Sequence, residues 1–253
     1  MKKIIIISFI SVTILALWLG FYVYKWEYRK PLFEVHFLSL KRGRAIFIRT
    51  PENKTMLIGA GQNSEVIREI TKVMPFYSRK IDYVFVPSAT AEQIGGILEI
   101  IDRYEVEEII KPKIMATSTV LTKLLDKISN KKIHVREVER GDRLDLRGLR
   151  MDVLFPVPNF KYNKTSLPEL ALAFVYKKSG LYLFGKLSKT IQKNVLKNMD
   201  VLTTDNLVEF YNSDGKNKNF DDLVSEIKPK YVFTTKEKTS NWVTGGEDWT
   251  QDE

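Results

Sequence analysis

No cysteine occurs among the 253 residues, and histidine occurs only twice, at His36 and His134. Without thiols the chain has no disulfide and no thiolate ligand, and that absence fits either side of a membrane. Two imidazoles are little from which to build a zinc centre, which takes three or four protein ligands per ion. Each histidine sits in a strand-like run, where a lone His is ordinarily structural. Low-complexity linkers are missing, as is any helix-turn-helix, zinc-finger or RNA-binding signature. What remains, at 44% hydrophobic and 28% charged residues, is long enough for one ordinary domain with a buried core.

Charge is missing locally as well. Ile4 to Tyr24 is a run of 21 uncharged residues behind Met1-Lys2-Lys3, and Lys25, Arg29 and Lys30 follow it. At about 1.5 Å per residue such a run crosses a hydrocarbon core of roughly 30 Å, which predicts a transmembrane helix over about residues 4–24. Trp18, Tyr22, Tyr24, Trp26 and Tyr28 gather at its far end like an aromatic belt. A cleaved signal peptide would share the basic start and apolar core, but no small-x-small site precedes Lys25. Residues 1–30 are therefore expected to be an uncleaved, single-pass anchor in the cell membrane. Basic residues flank both ends, so charge bias says little about orientation.

The rest of the chain alternates strand and helix patterns. Strands are expected at Phe33–Leu40, Arg44–Arg49, Thr55–Ile58, Ile81–Val86 and Glu107–Lys111. Val66, Ile67, Ile70 and Val73 give one apolar face to a helix near Ser64–Met74, and Ser118 is placed to cap a helix over Ser118–Ser129. A second sheet is expected from Ile133–Val138, Arg143–Leu146, Arg150–Phe155, Leu170–Tyr176 and Leu181–Phe184, with Lys177-Lys178-Ser179-Gly180 as a hairpin connection. The domain spans 31–240, and residues 241–253, with Gly245-Gly246 and an acidic end, read as a flexible tail. Periodicity alone gives an α/β or α+β class.

One segment carries more information. Val86-Pro87-Ser88-Ala89-Thr90-Ala91-Glu92-Gln93-Ile94-Gly95-Gly96 joins a buried strand to a helix on which Ile94, Ile97, Leu98 and Ile101 recur at helical spacing. Further along stand Phe37 to Pro51, Met56-Leu57-Ile58-Gly59-Ala60-Gly61, Gly141-Asp142-Arg143-Leu144-Asp145-Leu146, Leu183-Phe184-Gly185-Lys186-Leu187, Asp200 to Leu207 and Ile227 to Phe233. In this order and spacing the segments resemble the metallo-β-lactamase fold, most of all the extracytoplasmic C-terminal domain of ComEC-type DNA-uptake proteins. The resemblance covers about Phe33 to Thr235 and implies a four-layer αββα sandwich.

In that family the strand-loop-helix reads His-x-His/Asp-x-Asp-His before Gly-Gly, the opening hairpin Phe-Leu-Asp-Val-Gly-Gln-Gly-Asp-Ala, the next segment Ile-Asp-Ala-Gly, the later one Leu-Thr-Gly-Asp-Leu, and a strand leads into Pro-His-His-Gly-Ser. The matching positions here are Ser88, Thr90, Glu92 and Gln93 in the loop, Gly59 at the acidic turn, Lys186 at the bridging carboxylate, and Asn206 and Leu207 at the histidine pair. The resemblance thus implies a vestigial pocket with no metal, no cofactor and no catalytic residue.

Other chemistries can be set against this pseudoenzyme reading. Ser88, Thr90 and Lys186, oriented by Asp205 and Glu92, could form a serine-lysine arrangement, and Glu92 with Asp205 could hold a hard cation, although such sites use more oxygens. An active hydrolase or nuclease with a relocated or metal-free site is the alternative function. The formal net charge is +9, and the first thirty residues hold five Lys/Arg against one Glu. The remainder is moderately basic. Lysines interleaved with Phe160, Tyr162, Tyr176 and Tyr182 could meet single-stranded nucleic acid, whereas a solvated face toward anionic lipid or wall polymer is the plainer account. Expected partners are therefore the membrane, envelope proteins of a DNA-uptake or secretion system and, secondarily, nucleic acid.

Overall fold

The structure, a computed structural model, describes residues 2–27, 32–146, 148–158, 169–197, 205–210, 221–234, 240–244 and 248–252. It begins with helix α1 (Lys2–Glu27). Its side chains are described from Phe9 to Tyr22, and all of these are exposed. Among the described residues, no helix is long and apolar enough to cross a membrane.

An eight-stranded sheet follows. Its first strands are β1 (Phe33–Leu38), β2 (Ala45–Arg49) and β3 (Thr55–Ile58), which pair as an antiparallel meander. Helix α2 (Glu65–Val73) leads to β4 (Lys80–Phe85), and α3 (Ala91–Ile94) and α4 (Ile97–Arg103) lead to β5 (Glu105–Pro112). Helix α5 (Thr119–Asn130) leads to β6 (His134–Val138). β3 to β6 are parallel neighbours, as strand-helix-strand crossovers require.

Placing Ile133–Val138 in the second sheet is corrected here. β6 pairs with β5, Val135 opposite Ile109, because the intervening α5 makes the two strands one crossover unit. The cap of that helix forms as expected, with Ser118 Oγ accepting from Leu121 N–H at 3.1 Å.

The second sheet has six strands. β7 (Arg143–Leu146), β8 (Leu149–Phe155), β9 (Ala171–Tyr176) and β10 (Ser179–Phe184) are antiparallel, and α6 (Lys189–Leu196), β11 (Asp205–Phe210), α7 (Asp221–Ile227) and β12 (Tyr231–Thr234) add a parallel edge. The β9–β10 hairpin is tighter than expected. Ser179 and Gly180 already pair with Tyr176 and Val175, leaving Lys177 and Lys178 as the turn, with Lys177 at φ +54°.

The chain then returns to the first sheet. β13 (Ser240–Thr244) pairs with β1, and β14 (Trp249–Asp252) pairs with β13. The flexible tail expected after Ser240 is thus corrected to a sheet edge. Trp249, 1% exposed, packs on Phe33 with ring centroids 5.3 Å apart and donates from Nε1 to Gly180 O at 3.2 Å.

Apolar side chains divide into three sets. Phe33, Val35, Ile46, Ile48, Met151, Phe174 and Leu181 fill the space between the sheets. Phe47, Leu57, Val66, Ile70, Ile97 and Leu124 join the first sheet to α2–α5, and Ala173, Tyr182, Ile191, Val208 and Leu223 join the second to α6 and α7. Two sheets back to back with helices outside are the expected αββα sandwich. Strands covered on both faces, such as β1 and β10, are buried at every position.

Candidate functional site

The strand directions define two ends of the sandwich. At the first end lie the finish of β1, β3, β4 and β5 and the start of β2. The start of β9 is there too, because Leu170 N–H donates to Pro87 O at 2.9 Å. The matched loop opens at this end.

Ser88 is 6% exposed, and its hydroxyl lies 3.0 Å from that of Thr90, which is exposed at the N-cap of α3. Thr90 caps with its backbone: its C=O accepts from Gln93 and Ile94 N–H. Glu92 is exposed, on the solvent side of α3. Gln93 is fully buried, and its Nε2 lies 3.4 Å from both carboxylate oxygens of Glu169. Its backbone C=O accepts from Ala60 N–H at 2.8 Å, tying the loop to the turn after β3.

Gly59 heads that turn at φ +67°, and a Cβ placed there would lie 2.7 Å from Arg44 O and 3.2 Å from Gln93 Oε1. An acidic residue would therefore strain the backbone and displace Gln93. Gly95 and Gly96 pack onto the backbone of Gln62 and Ala60, so this pair serves close approach rather than chemistry. Lys186 stands at the same end after β10 and is exposed.

Two matched positions are not part of this group. Asn206 and Leu207 pair with Gly180 and Leu181 at the start of β10, the opposite end of the sheet. Asn206 Nδ2 donates to Ile227 O at 3.2 Å, and Leu207, fully buried, belongs to the core between the sheets. Their assignment to the histidine pair is corrected, because the strand reaches the loop end only at Phe210. Residues 201–204 and 211–220 lie outside the described residues, as do Phe160 and Tyr162 of the aromatic-basic reading.

Sequence reasoning missed two buried groups at this end. Glu169, 6% exposed, immediately precedes β9, and a Cβ on Gly185 would meet it. A carboxylate heading the apolar run Leu170 to Tyr176 was the available signal. Arg44, 2% exposed, stands where the resembled segment has Asp.

Among the described residues, no group of three or more His, Cys, Asp or Glu gathers as a metal ion would need. His36 Nδ1 lies 2.9 Å from Asn241 Oδ1, and His134 Nδ1 lies 2.9 Å from Glu108 Oε1, both within sheet pairings rather than at the loop. A cleft of about 200 Å³ lies elsewhere, between β6 and β7–β8. Its guanidinium groups, Arg136 and Arg143, are paired with Glu108 and Asp152.

This architecture is the metallo-β-lactamase fold. The metallo-β-lactamase fold protein YhfI from Bacillus subtilis superposes with TM-score 0.52 at 11% identity, over 80% of this chain and 86% of that one. Tm1679, a metal-dependent hydrolase of the β-lactamase superfamily, gives 0.51 at 9% identity over 79% and 86%. CmlA, a diiron β-hydroxylase from Streptomyces venezuelae, gives 0.52 at 14% identity, and the chain spans only 44% of its length while 81% of this chain is covered. No family profile and no curated protein sequence matches the chain.

Proposed function

We propose that this is a membrane-anchored, non-catalytic binding or assembly module of the cell envelope, similar to the extracytoplasmic domain of ComEC-type proteins, in which scaffold has replaced the metal centre. The carrying observation is Gln93. A metal ligand is expected there, yet its amide is fully buried against Glu169 and its backbone holds the turn at Gly59. The donor set at the loop end does not fit a transition metal: Ser88 and Thr90 are paired hydroxyls, Glu92 is turned to solvent, and Lys186 brings positive charge.

No described helix is by itself long and apolar enough to cross a membrane, so the anchored reading rests on the sequence: the uncharged run Ile4 to Tyr24 extends beyond Phe9 to Tyr22, the described side chains of α1, all of which are exposed, apolar ones included. A helix apolar all round needs lipid or protein about it. The resemblance supports reading the domain as outside the cell, with envelope components of a DNA-uptake or secretion system as proposed partners and nucleic acid as a secondary one.

In a native host deleted for the protein, chains carrying Ser88→Ala or Lys186→Ala are expected to restore uptake of free DNA, and a chain lacking residues 1–30 is expected to fail. Loss of uptake with Ser88→Ala or Lys186→Ala, at unchanged folding and level, would favour the alternative, an active hydrolase or nuclease with a relocated or metal-free site.

A further inference from the structure

The end of the sandwich opposite the matched loop has a composition of its own. It collects the start of β1 at Phe33, the finish of β2 at Arg49 and the starts of β3, β4 and β5 at Thr55, Lys80 and Glu105. The α2–β4 connection is there as well. Within it Phe76 is 87% exposed and Tyr77 68%, the two rings edge to face at 5.4 Å. Arg79 and Lys80 follow, both exposed; Lys80 is ion-paired with Glu107 and Asp82, and the Arg79 guanidinium lies 5.9 Å from the Tyr104 ring.

The second sheet presents its turn at the same end. β9 starts at the loop end and therefore finishes here at Tyr176, whose ring lies 6.4 Å from that of Phe33. The β9–β10 turn, Lys177 and Lys178, is exposed, with Lys177 Nζ 5.1 Å from the centre of the Tyr176 ring, and Ser179 Oγ lies 2.8 Å from Thr244 Oγ1 at the finish of β13. Two exposed aromatics and two exposed lysines on separate loops thus share the end at which the chain enters the domain.

Contour length relates that end to α1. From Glu27 to Phe33 the chain reaches at most about 22 Å, at ~3.6 Å per residue. We propose that this end, with the Phe76–Tyr77 tip and the Lys177–Lys178 turn, rests on the bilayer that holds α1. The aromatics enter the headgroup boundary and the lysines meet anionic lipid headgroups. The inference rests on the anchored reading proposed above. It also orients the molecule: the loop end carrying Ser88, Gln93 and Glu169 points away from the membrane, free to meet a partner.

The absence of cysteine makes a direct test simple. Full chains carrying Phe76→Cys or, at the opposite end, Lys113→Cys are labelled with an environment-sensitive fluorophore and reconstituted into vesicles of phosphatidylcholine and phosphatidylglycerol. Lipid-borne nitroxide is expected to quench the label at position 76 several-fold more than the label at 113, with aqueous iodide showing the reverse. Omitting phosphatidylglycerol, or introducing Lys177→Glu with Lys178→Glu, should reduce the lipid quenching at 76. Equal access of iodide to both labels, in protein that stays with the vesicles through an alkaline wash, would overturn the inference and leave the anchor standing. Release of the protein by that wash would overturn the anchor, and the inference with it.

Discussion

At the scale of single residues, the polar groups buried in this fold hold strands and turns together. Asp82 is the plainest case. Burial pushes its carboxyl up, but the Lys54 ammonium at 2.7 Å and the backbone and hydroxyl donors of Thr55, both at 2.9 Å, outweigh burial and hold it below its ordinary value. Glu69 is held down likewise, Lys72 and Arg68 prevailing over burial. A carboxyl whose folded pKa lies below its unfolded one adds stability that is fully present above the unfolded value and disappears as pH falls through the folded value. The urea midpoint is therefore expected to be flat near neutrality and to fall below about pH 4, where ordinary carboxyls titrate. Asp82→Asn should lower the midpoint at neutral pH and flatten the acid fall, and a wild-type midpoint unchanged into strong acid would contradict the assignment. The sequence alone does not show this, because the partner of Asp82 lies 28 positions away across a parallel pairing. Glu169 was hidden from sequence reading for a similar reason: it meets Gln93 from another sheet, 76 positions distant.

At the scale of elements, local pattern was legible where one periodicity ruled. The Ser118 cap, the apolar face of α2 and the strands β1 to β5 follow from spacing and turn chemistry to within two residues at each end. Misreadings came where pairing is decided at long range. β6 looks like the other strands but is carried back beside β5 by α5, and β13 and β14 sit beside Gly245-Gly246 and an acidic end that suggest fraying. Trp242 and Trp249 were the signal against that reading, since a tail has nothing in which to bury two indoles. Removing the Trp249 ring should open a cavity beside Phe33, and Trp249→Ala is expected to cost about 3–5 kcal/mol. Urea unfolding checks this, and a loss below about 1 kcal/mol, the level of an ordinary surface change, would show that the edge hairpin is dispensable.

At the scale of the whole molecule, the scaffold and the chemistry separate. The fold superposes on proteins of this architecture at identities of 9–14%. Such a fold hosts many activities, so it assigns none by itself. Function has to be argued from the loop end, where glycines pack, an amide is buried on a carboxylate and an ammonium faces solvent. The outline of that end was readable from Ser88, Gln93 and Lys186. Its other wall was not, because the pairing that carries Asn206 and Leu207 to the far end is invisible in a linear match. The most direct measurement is the metal content of the full-length chain. The protein is purified in mild detergent after growth with and without added zinc, manganese and iron, and analysed for all three elements. The account predicts substoichiometric metal under every condition, and one or two ions held per chain through gel filtration would contradict it.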